Sequence, residues 1–437
     1  MSIPLDRLYH YIESIAQDVR ESDVVIYRFL PHGSKKAEDL HQLRTYSWTE
    51  LVVLPEIYCN DQEPLNYDLY PSGANLLPHH LTPLHENKIE IPTNLNFKKG
   101  FFNIYDNSIL LHSEQRSSNL EQYRASGFIP VYYWSHAILA RDWFRYAKHT
   151  QQTKSVERRF LVYNRAWSGT REYRMGFTDR LIRLGLVDHT LMRVNPVDST
   201  INKHYDLHEF EHPEWRPHNV IENYFPLCNA DSTYSADFDQ EDYESTDIEV
   251  VLETLFDDLR LHLTEKILRP IAMGQPFILA GTYGSLKYLR DYGFKTFADC
   301  WDESYDMMSD STERINKITD VMSNIISMPT DKREAMLVKA RDIADYNKQH
   351  FFSKEFEDLI ITELKNNFSM AFDQLESTNT SSRFFHYRKL FAQTPELKEI
   401  VTGLLPDKSR QDIVNAVKKA RKYYISRLNR HPKLLSY

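Results

Sequence analysis

At 437 residues the chain exceeds what one compact core needs and suits two domains with additions. Its charged (26%) and apolar (41%) fractions are those of an ordinary globular chain, and no apolar run approaches the roughly 20 residues of a bilayer span, which excludes an integral membrane protein. The net charge of −9 argues mildly against a nucleic-acid partner, although a local basic patch matters more than the average.

The first residues, 1–7, lack the basic flank and apolar core of a secretory signal. Cys59, Cys228 and Cys300 give neither a CxxC spacing nor a disulfide framework, and both features fit a reducing cytoplasm. Residues 5–20 are amphipathic and predict a helix, followed by a buried strand over 24–29. Further strands are expected at 51–54, 109–111 and 129–133. Connections of this length favour a parallel sheet, with the Pro- and Asn-rich stretch 70–96 as a surface excursion.

Each of these strands runs into a polar cluster. His32 and Lys35 follow the first, Asp61 and Glu63 the second, His112-Ser113-Glu114 the third, and Trp134-Ser135-His136 the fourth. Carboxyl ends of strands are where open α/β sheets bind ligands, so the four clusters read as the wall of a cleft. Side chains so placed can act as general bases, and Asp61 and Glu63, then Glu114 and His136, are the candidates. Each reads equally as a turn-capping or satisfied polar group. Tyr132, Tyr133 and Trp134 suit stacking on a base, and also plain core packing.

After a polar break at 148–153 the pattern restarts with a strand over 159–163, a turn through 170 and a helix over 171–184 capped by Ser168 or Thr170. Asp237, Asp239, Glu241, Asp242, Glu244, Asp247 and Glu249 form an acidic run without helical or strand period, expected as a solvated loop. A strand is nevertheless expected over 248–253, and another over 295–297. From 307 the chain reads as mostly helical, with breaks near Pro329, Ser353 and Pro406. It ends in a basic segment containing Lys418 and Lys422, which suits either a DNA backbone or solvent. The expected domains are 1–153, 154–350 and 351–437.

Residues 263–281 carry the strongest signal: a helix with charge in its first turn, a Gly stop, an apolar strand and a Gly-rich turn. Thr264 is a good N-cap. A cation at Lys266 is unfavourable beside the helix dipole unless an anion is expected there. Glu265 suits a ligand contact, or simple compensation of the dipole. Pro270 should kink the helix. Gly281, Thr282 and Tyr283 open a turn offering backbone N–H groups to a phosphate or sugar. No HExxH or paired His/Cys spacing appears, and Asp237-Phe238-Asp239 reads as solvated charge. His204, His208, His212 and His218 are interrupted by Pro213 and Pro217, so no metal is expected.

The Thr264-Glu265-Lys266 helix start with its strand and small-residue turn resembles the donor motif of fucosyltransferases and related GT-B glycosyltransferases. That resemblance implies that Glu265 holds a nucleotide ribose and Lys266 its phosphates. Asn164 and Arg165, with Arg171 and Arg174, resemble the strand–Asn–basic-helix start of the same donor domain, which implies that Arg165 is a phosphate ligand. The implied fold is α/β of the GT-B type, two Rossmann-like domains facing across a cleft plus a helical C-terminal extension, with no metal or other cofactor. Residues 61–68 and 132–136 resemble proteins of large tailed phages of the T-even type, whose GT-B enzymes transfer glucose or arabinose to 5-hydroxymethylcytosine. That implies a UDP-sugar donor, hydroxymethylated double-stranded phage DNA as acceptor, no membrane partner, and the cytoplasm of an infected bacterial host. A glycan-directed fucosyltransferase-like enzyme and a non-catalytic binding protein are the alternatives.

Overall fold

The computed structural model describes residues 108–117, 128–150, 153–198, 201–225 and 238–378, with isolated positions at 15, 19, 26–27, 120–121 and 124. The expected helix over 5–20, the strand over 51–54, the excursion 70–96 and the basic tail lie outside the described residues, apart from isolated positions. The described residues fall into two compact units. One holds 114–117 and 134–360; the other holds 26–27, 108–113, 128–133 and 361–378. Ser135–Trp143 belongs to the unit of the later residues.

The second of these units contains a parallel sheet of three strands in the order β1 (Ile26–Tyr27), β2 (Ser108–His112), β3 (Phe128–Tyr132). Ile109 and Leu110 pair with Ile26 and Tyr27 on one side and with Ile129 and Pro130 on the other.

The other unit starts with α1 (Ser135–Trp143) and continues into β4 (Arg158–Asn164), α2 (Tyr173–Arg183) and β5 (Thr190–Val194). A two-residue antiparallel pair follows, β6 (Val197–Asp198) with β7 (Lys203–His204). Then come α3 (Gln240–Glu244), β8 (Thr246–Leu252), α4 (Glu265–Met273), β9 (Phe277–Ala280) and α5 (Ser285–Asp291). Two helices close this part, α6 (Ser311–Ser327) and α7 (Thr330–Phe351), and α8 (Lys354–Thr378) begins in it but belongs from residue 361 to the other unit. Pro329 separates α6 from α7, and Ser353 lies between α7 and α8.

Four strands form one parallel sheet in the order β5-β4-β8-β9. Its central strands are buried on both faces, as all-parallel sheets require: Phe160, Leu161, Val162 and Tyr163 in β4, and every residue of β8. The chain leaves β4 for β5, then crosses back to β8 and β9. The strand order therefore reverses between β4 and β8, and the carboxyl edge at that reversal is the usual ligand position of an open α/β sheet.

The acidic run is not a solvated loop. Asp239 caps α3, and Asp242, Asp247 and Glu249 are buried. Each has cationic partners that offset its desolvation. Asp242 takes Arg193 (2.5 and 3.0 Å) and the Tyr163 hydroxyl (2.9 Å). Asp247 lies between Arg159 and Arg341, and Glu249 between Arg269 and the Tyr243 hydroxyl, both at 2.5 Å. Residues 295–297 do not form the expected strand. They run as irregular chain, with the Lys295 N–H and carbonyl both bonded to the Asn347 side chain (2.8 and 2.9 Å).

Among the described residues no helix is long and apolar enough to cross a membrane.

Candidate functional site

Three chain segments meet at the carboxyl edge of the four-stranded sheet: Asn164-Arg165 after β4, Glu253-Thr254 after β8, and Gly281 to Gly284 after β9. The start of α4 lies among them. Thr264 is its N-cap, in extended geometry, with Oγ1 accepting from the Lys266 N–H at 3.4 Å. The helix continues through Pro270 and stops at Gly274, whose φ of 71° closes the last turn and suits the residue without a Cβ. Every residue of α4 except Lys266 is buried.

Glu253 is the acid that sequence reasoning passed over. It is fully buried, and its carboxylate accepts from the Thr264 N–H (3.0 Å), the Thr264 hydroxyl (2.7 Å) and the Ile267 N–H (3.4 Å). The anion position at the start of α4 is therefore filled from within the protein. Beside it lie further charged side chains.

Those side chains form a buried row. Glu265 is 3% exposed; Lys266 Nζ lies 2.6 Å from its Oε1 and His136 Nε2 lies 3.1 Å from its Oε2. Lys266 Nζ also reaches Thr264 Oγ1 at 3.3 Å. Burial by itself would raise the Glu265 pKa, but the Lys266 ammonium and the His136 contact outweigh it and hold the carboxyl well below its usual value. For Lys266, burial dominates and lowers the pKa, only partly offset by Glu265 and Glu253, while Arg174 lowers it further.

His136 is fully buried, with Nδ1 3.3 Å from Ser135 Oγ and its ring 5.0 Å from that of His262. That places it as a partner of Glu265 and removes it from the open cleft wall expected for a base. Glu114 is 1% exposed and pairs with Arg260 at 3.2 Å, so it too is enclosed. Tyr133 and Trp134 offer no open face for stacking. Trp134 donates Nε1 to the Leu263 carbonyl (2.9 Å) and packs on Tyr288 and Tyr292, because an indole this buried needs both a hydrogen-bond partner and apolar neighbours. Asp61, Glu63, His32, Lys35, Lys418 and Lys422 lie outside the described residues.

The β4 segment divides in the same way. Asn164 is buried and donates to Thr178 Oγ1 (3.2 Å) and the Arg174 carbonyl (3.3 Å), fixing β4 against α2. Its Oδ1 is a buried acceptor with no hydrogen-bond partner among the described residues. Arg174 is structural, donating to the carbonyls of Ala166, Leu252 and Glu253. Arg171 folds back on the Ser168 carbonyl (3.1 Å), and burial, with Arg174 nearby, lowers its pKa to about 10. Arg165 is half-buried, its guanidinium 5.0 Å from the Tyr163 ring.

In the β9 turn, Gly281 is required by packing, since a Cβ there would come within 2.8 Å of Ser285 Oγ. Thr282 uses its hydroxyl on the Leu255 and Arg260 carbonyls. Tyr283 is half-buried, and its carbonyl accepts from Arg116 at 2.6 Å.

Three of the dense histidines pair with separate carboxylates. His204 pairs with Glu222, His208 with Glu172 and His218 with Asp179. Only His212 joins a group with Glu214 and Asp257; their ligand atoms lie within 4.8 Å of one another and all three residues are exposed.

No family model matches the chain, and neither a curated protein nor a solved structure matches it.

Proposed function

We propose that the chain is a metal-independent glycosyltransferase of the GT-B type that uses a nucleoside diphosphate sugar, a UDP-sugar by preference. One observation carries the reading. A strand-order reversal in a parallel sheet has, at its carboxyl edge, a buried carboxylate paired with a lysine that only its immediate neighbours restrain. Lys266 Nζ contacts Glu265 Oε1 and Thr264 Oγ1. A diphosphate offers the ammonium more negative charge and draws it away. Glu265 is then the acceptor that the resemblance implies for ribose hydroxyls, while its Oε2 stays with His136. Lys266 and Arg165 neutralise the diphosphate as the sugar–oxygen bond breaks, which is the charge stabilisation such a leaving group needs.

The acceptor assignment, arabinose or glucose passed to 5-hydroxymethylcytosine of phage DNA in the host cytoplasm, rests on the sequence resemblance of residues 61–68 and 132–136. Asp61 and Glu63 remain the proposed bases, since Glu114 and His136 already have buried partners. The deciding assay incubates the full chain with hydroxymethylated and unmodified DNA and a panel of sugar nucleotides, then weighs the digested nucleosides. A pentose or hexose gain on hydroxymethylcytosine alone is expected. Turnover on a soluble glycan with no gain on DNA would replace the acceptor by a glycan. Normal transfer by Lys266→Ala would sink the donor site.

A further inference from the structure

Two non-glycine residues among those described have a positive φ: Asn202 at 49° and Arg116 at 56°. Asn202 lies in the turn between β6 and β7, where an Asn side chain tolerates the left-handed region. Arg116 has no such reason. A bulky residue in this conformation is held there by its surroundings, and such positions cluster at ligand clamps.

The surroundings are specific. Gln115 and Leu261 exchange both backbone hydrogen bonds (2.8 and 2.9 Å), and Glu114 pairs with Arg260. Residues 114–117 thereby belong to the unit of the four-stranded sheet, although the chain on either side belongs to the other. Arg116 Nη2 donates to the Tyr283 carbonyl at 2.6 Å, and its guanidinium lies 4.2 Å from the Tyr283 ring centre. Nη1 lies 3.7 Å from the Cβ position of Gly284. The guanidinium is thus fixed against the turn that ends β9.

Arg116 has no carboxylate partner among the described residues. Of the acids near it in the chain and in the facing loop, Glu114 and Asp258 are both paired with Arg260. One of its five N–H donors is used on Tyr283, and the side chain is exposed. An immobilised guanidinium with donors to spare and no carboxylate partner among the described residues is suited to two oxygens of a phosphate.

We infer that Arg116 is an anion-binding residue of this carboxyl edge, taking a phosphate group of the nucleoside diphosphate from the β9 side. The inference rests on the donor reading above, with Lys266 and Arg165 meeting the diphosphate from the α4 and β4 sides. It assigns the 114–117 excursion a role: carrying one cation to the turn at the end of β9.

The test is calorimetric titration of the full chain with UDP, GDP, uridine, guanosine and inorganic pyrophosphate. The variants are Arg116→Gly, Arg116→Lys and Lys266→Ala. Glycine is native to the left-handed region, so Arg116→Gly removes the guanidinium and relieves the backbone; its melting temperature should equal or exceed that of the parent. Arg116→Gly should bind the nucleoside diphosphate about 10-fold or more weakly, as loss of a charged hydrogen-bonding partner does, and nucleosides no differently. Arg116→Lys should recover only part of that, since an ammonium lacks the fork. If Lys266→Ala weakens binding and Arg116→Gly does not, the inference falls and the donor site stands. If pyrophosphate binds in an Arg116-dependent way but no nucleotide does, the anion site stands and the donor reading falls. If the parent binds none of them, both fall.

Discussion

Strand β8 and the residue just past it carry buried acids in two settings. At Asp247 and Glu249, inside the strand, the partners come from distant elements: Arg341 of α7, Arg159 of β4 and Arg269 of α4. At Glu253, one residue beyond the strand, the carboxylate faces the backbone of the α4 start, and the neighbouring ion pair joins two consecutive residues, Glu265 and Lys266. The mid-strand pairs tie separate elements together, so breaking one strands a charge in the core. The edge pair joins neighbours in sequence, so on the proposed reading Lys266 changes partners without separating two elements. Similar residues therefore serve the fold in one place and, on the proposed reading, a ligand in the other.

The largest effect should come from opening a mid-strand pair. Glu249→Leu leaves the Arg269 guanidinium buried without its carboxylate and should cost about 3–5 kcal/mol in denaturant unfolding. The double variant Glu249→Leu with Arg269→Met removes both charges and should regain most of that loss. A single variant as stable as the parent would erase the distinction between the two settings.

A smaller loss is expected at Glu253. In Glu253→Gln an amide N–H₂ competes for the position facing the Thr264 and Ile267 N–H groups, so at least one donor loses its acceptor. The cost should be about 1–3 kcal/mol, seen in urea unfolding, with amide exchange accelerated at the start of α4. Unchanged exchange there would mean that the hydroxyl of Thr264 caps the helix unaided.

How much of this was readable beforehand depends on what each residue answers to. The start of α4 was legible because Thr264, the apolar spacing behind it and Gly274 are all local signals. The strands at 108–112, 128–132 and 158–164 were legible for the same reason. The acidic run misled because its neutralising partners lie 20 to 94 residues away in sequence, as with Glu249–Arg269 and Arg341–Asp247, and no local pattern announces them. His136 and Trp134 misled differently. Polar and aromatic residues at a strand end suggest an open rim, yet the chain passes directly into α1, and both side chains turn inward onto Glu265 and the Leu263 carbonyl. Arg116 gave no signal, because a left-handed backbone at arginine is a property of the pairing with Leu261.

The smallest effect separates the two roles of Lys266 most cleanly. Its ammonium titrates below the ordinary lysine value because burial disfavours the charge. The unfolded chain then binds more protons than the folded one over the pH range just below that value, so the Lys266 contribution to stability rises with pH there. Phosphate binding needs the proton and should fall over the same range. The stability difference between the parent and Lys266→Gln should therefore climb with pH while the nucleoside diphosphate affinity of the parent declines, each followed from about pH 7 to 10. In Lys266→Gln the affinity should be low and flat across that range. Parallel movement of stability and affinity would mean that Lys266 serves the fold like the mid-strand cations, and the contrast between the two settings would fail at its most exposed point.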